Sequence, residues 1–146
     1  MQIASIADQA SVALVFVTSD SGEGYISVDG NEGDRQNLTL WHDGENLIRE
    51  ISSFCNNTIV VISSVGPVLV ESFKHNPNVS AILWAALPGQ EAGNAIADVL
   101  YGRVNPGGKS PFTWGGNRSD YGTDVLYKPN DPSVPQADFE EGIFID

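Results

Sequence analysis

Three short apolar runs, separated by longer segments of mixed character, set the framework of this chain. Val12-Ala13-Leu14-Val15-Phe16-Val17, Thr58-Ile59-Val60-Val61-Ile62 and Val79-Ser80-Ala81-Ile82-Leu83-Trp84 each read as a strand. The first of them is nearly continuous rather than alternating in its hydrophobicity, which marks a strand buried on both faces of a parallel sheet. The segments around them carry helical spacing. Residues 3–10 read as an amphipathic helix feeding the first strand. Between 43 and 55, Leu47, Ile48, Ile51, Phe54 and Cys55 fall on one helical face, with Asp43 placed as the cap and Glu45 in the first turn, where the helix dipole favours an anion. Pro67 is expected to open a short helix through Phe73, since proline in the first turn forfeits no hydrogen bond. Over 90–101, Ala92, Ala95, Ile96, Val99 and Leu100 share a face, and Gly102 stands where a C-terminal cap glycine belongs. This alternation predicts an α/β fold, a three-layer α/β/α sandwich with a mostly parallel sheet.

Beyond that helix the pattern weakens. Asn105-Pro106-Gly107-Gly108-Lys109 is a turn, and Ser110-Pro111-Phe112-Thr113-Trp114 is expected to add a strand at the sheet edge, because Pro111 cannot donate to a ladder. From Gly115 the chain is rich in Gly, Pro, Asn and Asp without a sustained period. The expected division is therefore a sandwich over 1–114 and an irregular extension of the same domain over 115–146. Its last apolar run, Gly142-Ile143-Phe144-Ile145-Asp146, is expected to be cut off before a following domain.

The segment after the first strand stands out chemically. Residues 19–35 hold five carboxylates and four glycines, with Arg35 as the single basic residue. Ligand sites in open α/β sheets form beyond the carboxyl ends of the strands. Glycine lets such a loop turn sharply and bring a side chain close to a substrate. So many like charges in one loop repel each other, so the loop reads as functional.

Composition narrows the partners. The 146 residues suit one domain that buries about two-thirds of its unfolded surface. A net charge of -12 disfavours nucleic acid and anionic membrane surfaces as partners. No apolar run approaches the roughly 20 residues that span a bilayer. The single Cys55 cannot form an internal disulfide, and it reads as a small buried hydrophobe. His42 and His75 lack a third clustered ligand, and the Asp29–Asp34 stretch lacks the ordered ligands of a calcium loop, so no metal is expected. The loop also lacks a phosphate-binding fingerprint. Asn37-Leu38-Thr39, Asn56-Asn57-Thr58, Asn78-Val79-Ser80 and Asn117-Arg118-Ser119 are four glycosylation acceptors. They favour a secreted eukaryotic origin. The start of the chain reads as a helix rather than a leader, so it is expected to be one piece of a longer secreted protein.

Several ordered blocks resemble one known family. Ser21-Gly22-Glu23-Gly24-Tyr25, Gly33-Asp34-Arg35-Gln36-Asn37-Leu38, Val65-Gly66-Pro67-Val68, Leu83-Trp84-Ala85-Ala86-Leu87-Pro88-Gly89-Gln90-Glu91 and the run 98–109 together look like the C-terminal α/β sandwich domain of family 3 glycoside hydrolases. The resemblance is greatest to secreted fungal β-glucosidases and covers nearly the whole chain. It implies a retaining, two-carboxylate hydrolysis of terminal β-glucosyl residues, from cellobiose or aryl β-glucosides, with no cofactor. It also implies that the nucleophilic aspartate comes from an N-terminal (β/α)8 barrel, and that the general acid/base of the Gly-Glu-Gly-Tyr motif is Glu23. The barrel is then the partner of this chain and a β-glucoside its substrate.

The resemblance favours Glu23 over Glu32. Glu32 lies in a stretch that reads as a turn closed by Asp34 with Arg35 or with the backbone, and Asp29 reads as structural. Tyr25 either packs near the sugar or anchors the loop. Trp84 and Trp114 read as packing aromatics, and Glu91 as a residue favoured by a helix dipole. Ser63-Ser64 replaces the family's usual His-Ser, while Ala86 and Ala92 stand where glycine and serine are commoner. The competing function is a non-catalytic module that binds sugar or a protein partner.

Overall fold

The computed structural model describes residues 2–124, 126, 128 and 130–144. Its centre is a parallel sheet of β1 (Ala13–Ser19), β4 (Thr58–Ser64) and β5 (Val79–Trp84) in the order β1-β4-β5. A separate two-stranded ribbon pairs β2 (Ser27–Val28) with β3 (Asn31–Glu32) antiparallel. Helix α1 is Gln2–Asp8, α2 is Gly44–Phe54, α3 is Glu71–Lys74 and α4 is Ala92–Leu100. The expected mostly parallel α/β sandwich is the observed fold.

The central strand explains why the apolar runs are continuous. Val60, Val61 and Ile62 of β4 are fully buried, so both of its faces are packed. Successive crossovers from β1 through α2 to β4, and from β4 through α3 to β5, step in one direction across the sheet. Right-handed connections then place both helices on the same face. On that face Val15, Val17, Val60 and Ile62 meet Ile48 of α2, Phe73 of α3 and the loop residues Leu40, Val68 and Val70. Strand β1, at one edge, behaves differently. Leu14 and Phe16, on the opposite face of β1, remain 46% and 56% exposed, so β1 is not buried on both faces as its composition suggests.

Helix ends depart from expectation for local reasons. Asp43 has φ 59° and makes no side-chain cap; its carboxylate instead accepts from the Asn46 amide. Glu45 does occupy the first turn, and its carboxylate accepts the Leu40 backbone N–H at 2.9 Å, fixing the chain that enters α2. Ile48 and Ile51 face the core, whereas Leu47 and Phe54 sit at the margin and stay exposed. Pro67 does not open a helix. The Leu69 N–H donates to the Leu38 carbonyl, and Val68 and Val70 enter the core, so tertiary contacts hold 67–70 out of the helix until Glu71.

The fourth helix is preceded by a single 3-10 turn at Gly89–Glu91 and followed, as expected, by Gly102 in the left-handed region. No strand forms over 110–114. The Ser110 hydroxyl donates to the Phe112 carbonyl and accepts the Trp114 indole N–H, local bonds that compete with a ladder. Phe112 and Trp114 instead pack edge-on against Trp84 and tilted against each other, and the Trp84 indole N–H donates to Ser64 Oγ.

Ala86 lies between β5 and that 3-10 turn with φ 52°, a left-handed backbone that costs an L side chain about 1–2 kcal/mol. Glycine would remove this strain but add unfolded-state entropy. Ala86→Gly is therefore expected to raise stability by a net of about 0.5–1 kcal/mol, read as a higher urea midpoint with an unchanged slope.

Candidate functional site

The carboxyl ends of β1, β4 and β5 deliver three loops, 20–41, 65–70 and 85–91, to one edge of the sheet. The first loop is anchored where it leaves β1. Ser19 is fully buried and its hydroxyl donates to the Thr39 carbonyl, while the Trp41 N–H donates to the Thr18 carbonyl. The loop's two ends are thereby stapled side by side.

Within it, four residues make a tight turn. The Ile26 N–H donates to the Glu23 carbonyl at 2.9 Å, and Gly24 takes φ 56° at the second position. The chain then runs through the β2–β3 ribbon, whose two-residue connection is Asp29-Gly30 with φ 48° and 83°. Positive φ at both positions is the primed turn that matches the twist of antiparallel strands, and Asp-Gly is a favoured pair for it. This hairpin was not expected from the sequence, although its turn dipeptide was there to be read. Gly33 closes the ribbon by donating its N–H to the Ile26 carbonyl at 3.0 Å. His42 Nε2 lies 3.0 Å from Asp29 Oδ2, tying the ribbon's tip to the segment before α2.

This architecture places Glu23 and Tyr25 at the tip of the turn. Both are exposed, Tyr25 to 90%. Among the described residues the Glu23 carboxylate has no hydrogen-bond or ion-pair partner. Glu32 lies in β3 opposite Ser27, also exposed. Asp20 accepts the Ser21 N–H at 2.8 Å. Trp84 and Trp114 pack in the aromatic cluster, and the Glu91 carboxylate accepts from the Asn94 amide.

Arg35 organises the loop in a way that sequence reading missed. The turn expected to be closed by Asp34 with Arg35 or with the backbone is closed by the Asn31 side-chain amide, which donates to the Gly33 and Asp34 backbone carbonyls. Arg35 turns inward. Its backbone N–H donates to Ser21 Oγ, and its guanidinium donates to Ser19 Oγ at 3.3 Å and to the Pro67 carbonyl at 2.7 Å. One side chain thus joins the end of β1, the acidic loop and the loop after β4. Burial lowers its pKa, with a smaller opposing effect from Tyr121.

Tyr121 ends the 3-10 turn Arg118–Tyr121, and its hydroxyl accepts the Gly115 N–H. Burial raises its pKa above the ordinary value. A group raised on folding contributes stability below its unfolded pKa and loses it as pH climbs through the folded one. Urea midpoints should therefore fall as pH rises above about 10, and Tyr121→Phe should remove that part of the alkaline loss.

The glycosylation acceptors differ in their surroundings. Asn37 is exposed and its side-chain oxygen accepts from both the hydroxyl and the N–H of Thr39. Asn56 is exposed. Asn78 is half-buried, and its side-chain amide donates to the Ser52 carbonyl at 2.8 Å. The exposed Asn117 caps the 3-10 turn at Arg118–Tyr121.

Similarity to known proteins accounts for this arrangement of loops on a sheet. Beta-glucosidase 1 of Aspergillus aculeatus is 66% identical over 146 residues, covering 99% of this chain and 17% of that protein. Probable beta-glucosidase A of Aspergillus terreus is 62% identical over the same span. Among solved structures, a family 3 β-glucosidase from Neurospora crassa superposes with TM-score 0.83 at 58% identity, covering 99% of this chain and 18% of its own. A Chaetomium thermophilum β-glucosidase gives 0.83 at 62% identity, with the same coverage. The chain thus spans about 17% of the length of these curated relatives. The glycosyl hydrolase family 3 C-terminal domain matches residues 1–146, the whole sequence, and the chain belongs to that family.

Proposed function

We propose that this chain supplies the general acid/base of a retaining β-glucosidase site whose nucleophilic aspartate stands on a barrel domain outside it. Retaining hydrolysis needs two carboxyl groups about 5 Å apart, one to attack the anomeric carbon and one to protonate the departing oxygen. Glu23 takes the second role. In the first step it gives its proton to the glycosidic oxygen as the aspartate forms the glycosyl–enzyme bond. In the second, its carboxylate takes a proton from the attacking water, which displaces the aspartate and restores the acid. The observation that carries this reading is the Glu23 carboxylate, without a partner among the described residues and lifted to the tip of a glycine-built turn at the carboxyl edge of the sheet.

Tyr25, two residues further along the same turn, contacts the sugar beside the scissile bond in this reading, which its 90% exposure supports. Exposure of Asn37, Asn56 and Asn117 suits glycans on a secreted enzyme that acts on cellulose-derived glucosides. The test is an assay on an aryl β-glucoside with the chain alone and with a separately produced barrel domain. Activity should arise only in combination and be lost with Glu23→Gln. Unimpaired activity of that variant overturns the assignment.

A further inference from the structure

Arg35 has a second property that its role in the loop leaves unused. A guanidinium carries five N–H donors, and two of them are taken up by Ser19 Oγ and the Pro67 carbonyl. No carboxylate among the described residues lies within ion-pair distance of it. In a chain of nineteen acidic and seven basic residues, a half-buried cation without a counter-ion is conspicuous. Desolvating a charge without pairing it is costly, so such a group favours any anion that reaches it.

A cleft of about 490 Å³ gives access to it. Arg35 lines it, together with the largely apolar Leu38, Pro67, Leu69, Tyr121 and Phe139. The volume falls in the range of small-molecule sites, which pair an apolar lining with a few fixed polar groups. Asp34 and Asp124 also line the cleft; the Asp124 carboxylate is engaged by Arg118 at 2.5 Å, while Asp34 is exposed to solvent and forms no ion pair with Arg35. Low-dielectric walls strengthen the attraction between a guanidinium and an anion, and a planar carboxylate matches the donor fork of arginine in a bidentate pair.

We propose that this cleft binds a small carboxylate with an apolar body, its oxygens on the unused Arg35 donors and its body against Leu38, Leu69 and Phe139. The site does not depend on the catalytic reading, because Glu23 does not line it.

Titrating the isotopically labelled chain with benzoate, followed by NMR, tests this. Saturable shifts are expected at Arg35, Leu38, Leu69 and Phe139. Binding should weaken about tenfold or more for benzyl alcohol, which keeps the ring and lacks the charge, and for Arg35→Gln. Thr123→Glu keeps Arg35 and its loop contacts while adding a carboxylate to the cleft wall, so it should compete with benzoate without unfolding the chain. Added salt should weaken binding modestly, as for a partly shielded pair. Absence of saturable shifts, equal binding of benzyl alcohol, or undiminished binding by Thr123→Glu overturns the proposal.

Discussion

Glu23→Gln is expected to lower the turnover of an aryl β-glucoside by the barrel-complemented chain about 10²–10⁴-fold, the usual worth of a positioned general acid/base. The substitution keeps the size and shape of the side chain and removes only its proton chemistry. Because the carboxylate is exposed and has no partner among the described residues, stability should move by less than about 0.5 kcal/mol. Loss of activity with an unchanged urea midpoint therefore separates chemistry from folding. Leaving-group dependence adds a second criterion. A dinitrophenolate departs without protonation, so formation of the glycosyl–enzyme should survive in Glu23→Gln, and only its hydrolysis should be slow. Azide, which needs no base to attack, should then restore turnover and yield the β-glucosyl azide. Glu32→Gln serves as the control: its carboxyl group lies in β3, beyond the turn, and activity should be retained. If Glu32→Gln abolished activity and Glu23→Gln did not, the roles of the two would have to be exchanged.

What the sequence revealed, and what it concealed, follows from the range of the interactions involved. The strands were legible because β4 is packed on both faces, so Val60, Val61 and Ile62 must all be apolar, and the run announces itself. The same rule misled for β1, whose Leu14 and Phe16 are as apolar as buried residues but stand exposed on an edge strand. The β2–β3 ribbon escaped notice because two-residue strands are too short to show alternation; its only signature is Asp29-Gly30. Residues 110–114 have a strand's composition, but Ser110 satisfies its neighbours locally, and composition alone does not encode that competition. The Glu23 motif is local and was readable, whereas Arg35 acts on partners 16 and 32 positions away and was not. Contacts across that separation exist only once β1 and β4 lie side by side.

Gly22→Ala should be the most damaging small substitution near the turn, and for a reason different from that of its neighbour Gly24. Gly22 does not occupy the left-handed region, so its requirement is space. A β-carbon there would stand 2.1 Å from the Ile26 carbonyl oxygen and 2.9 Å from that of Gly33. Neither oxygen belongs to a side chain that can swing away. The Ile26 carbonyl is held by the Gly33 N–H, and the Ile26 N–H holds the Glu23 carbonyl, so relief requires the turn and ribbon to open together. Overpacking of this kind costs about 1–3 kcal/mol. The larger consequence falls on Glu23, because a displacement of about 1 Å at a catalytic group can cost about 10²-fold in rate. Gly24 presents the opposite case: a β-carbon there meets nothing within 4 Å, but φ is +56°. Gly24→Ala should therefore cost about 1–2 kcal/mol through backbone strain and leave the ribbon's hydrogen bonds in place. Amide hydrogen exchange at Ile26 and Gly33 distinguishes the two, with protection lost in Gly22→Ala and kept in Gly24→Ala. Equal protection in both variants would mean that the close approach at Gly22 does not hold the turn.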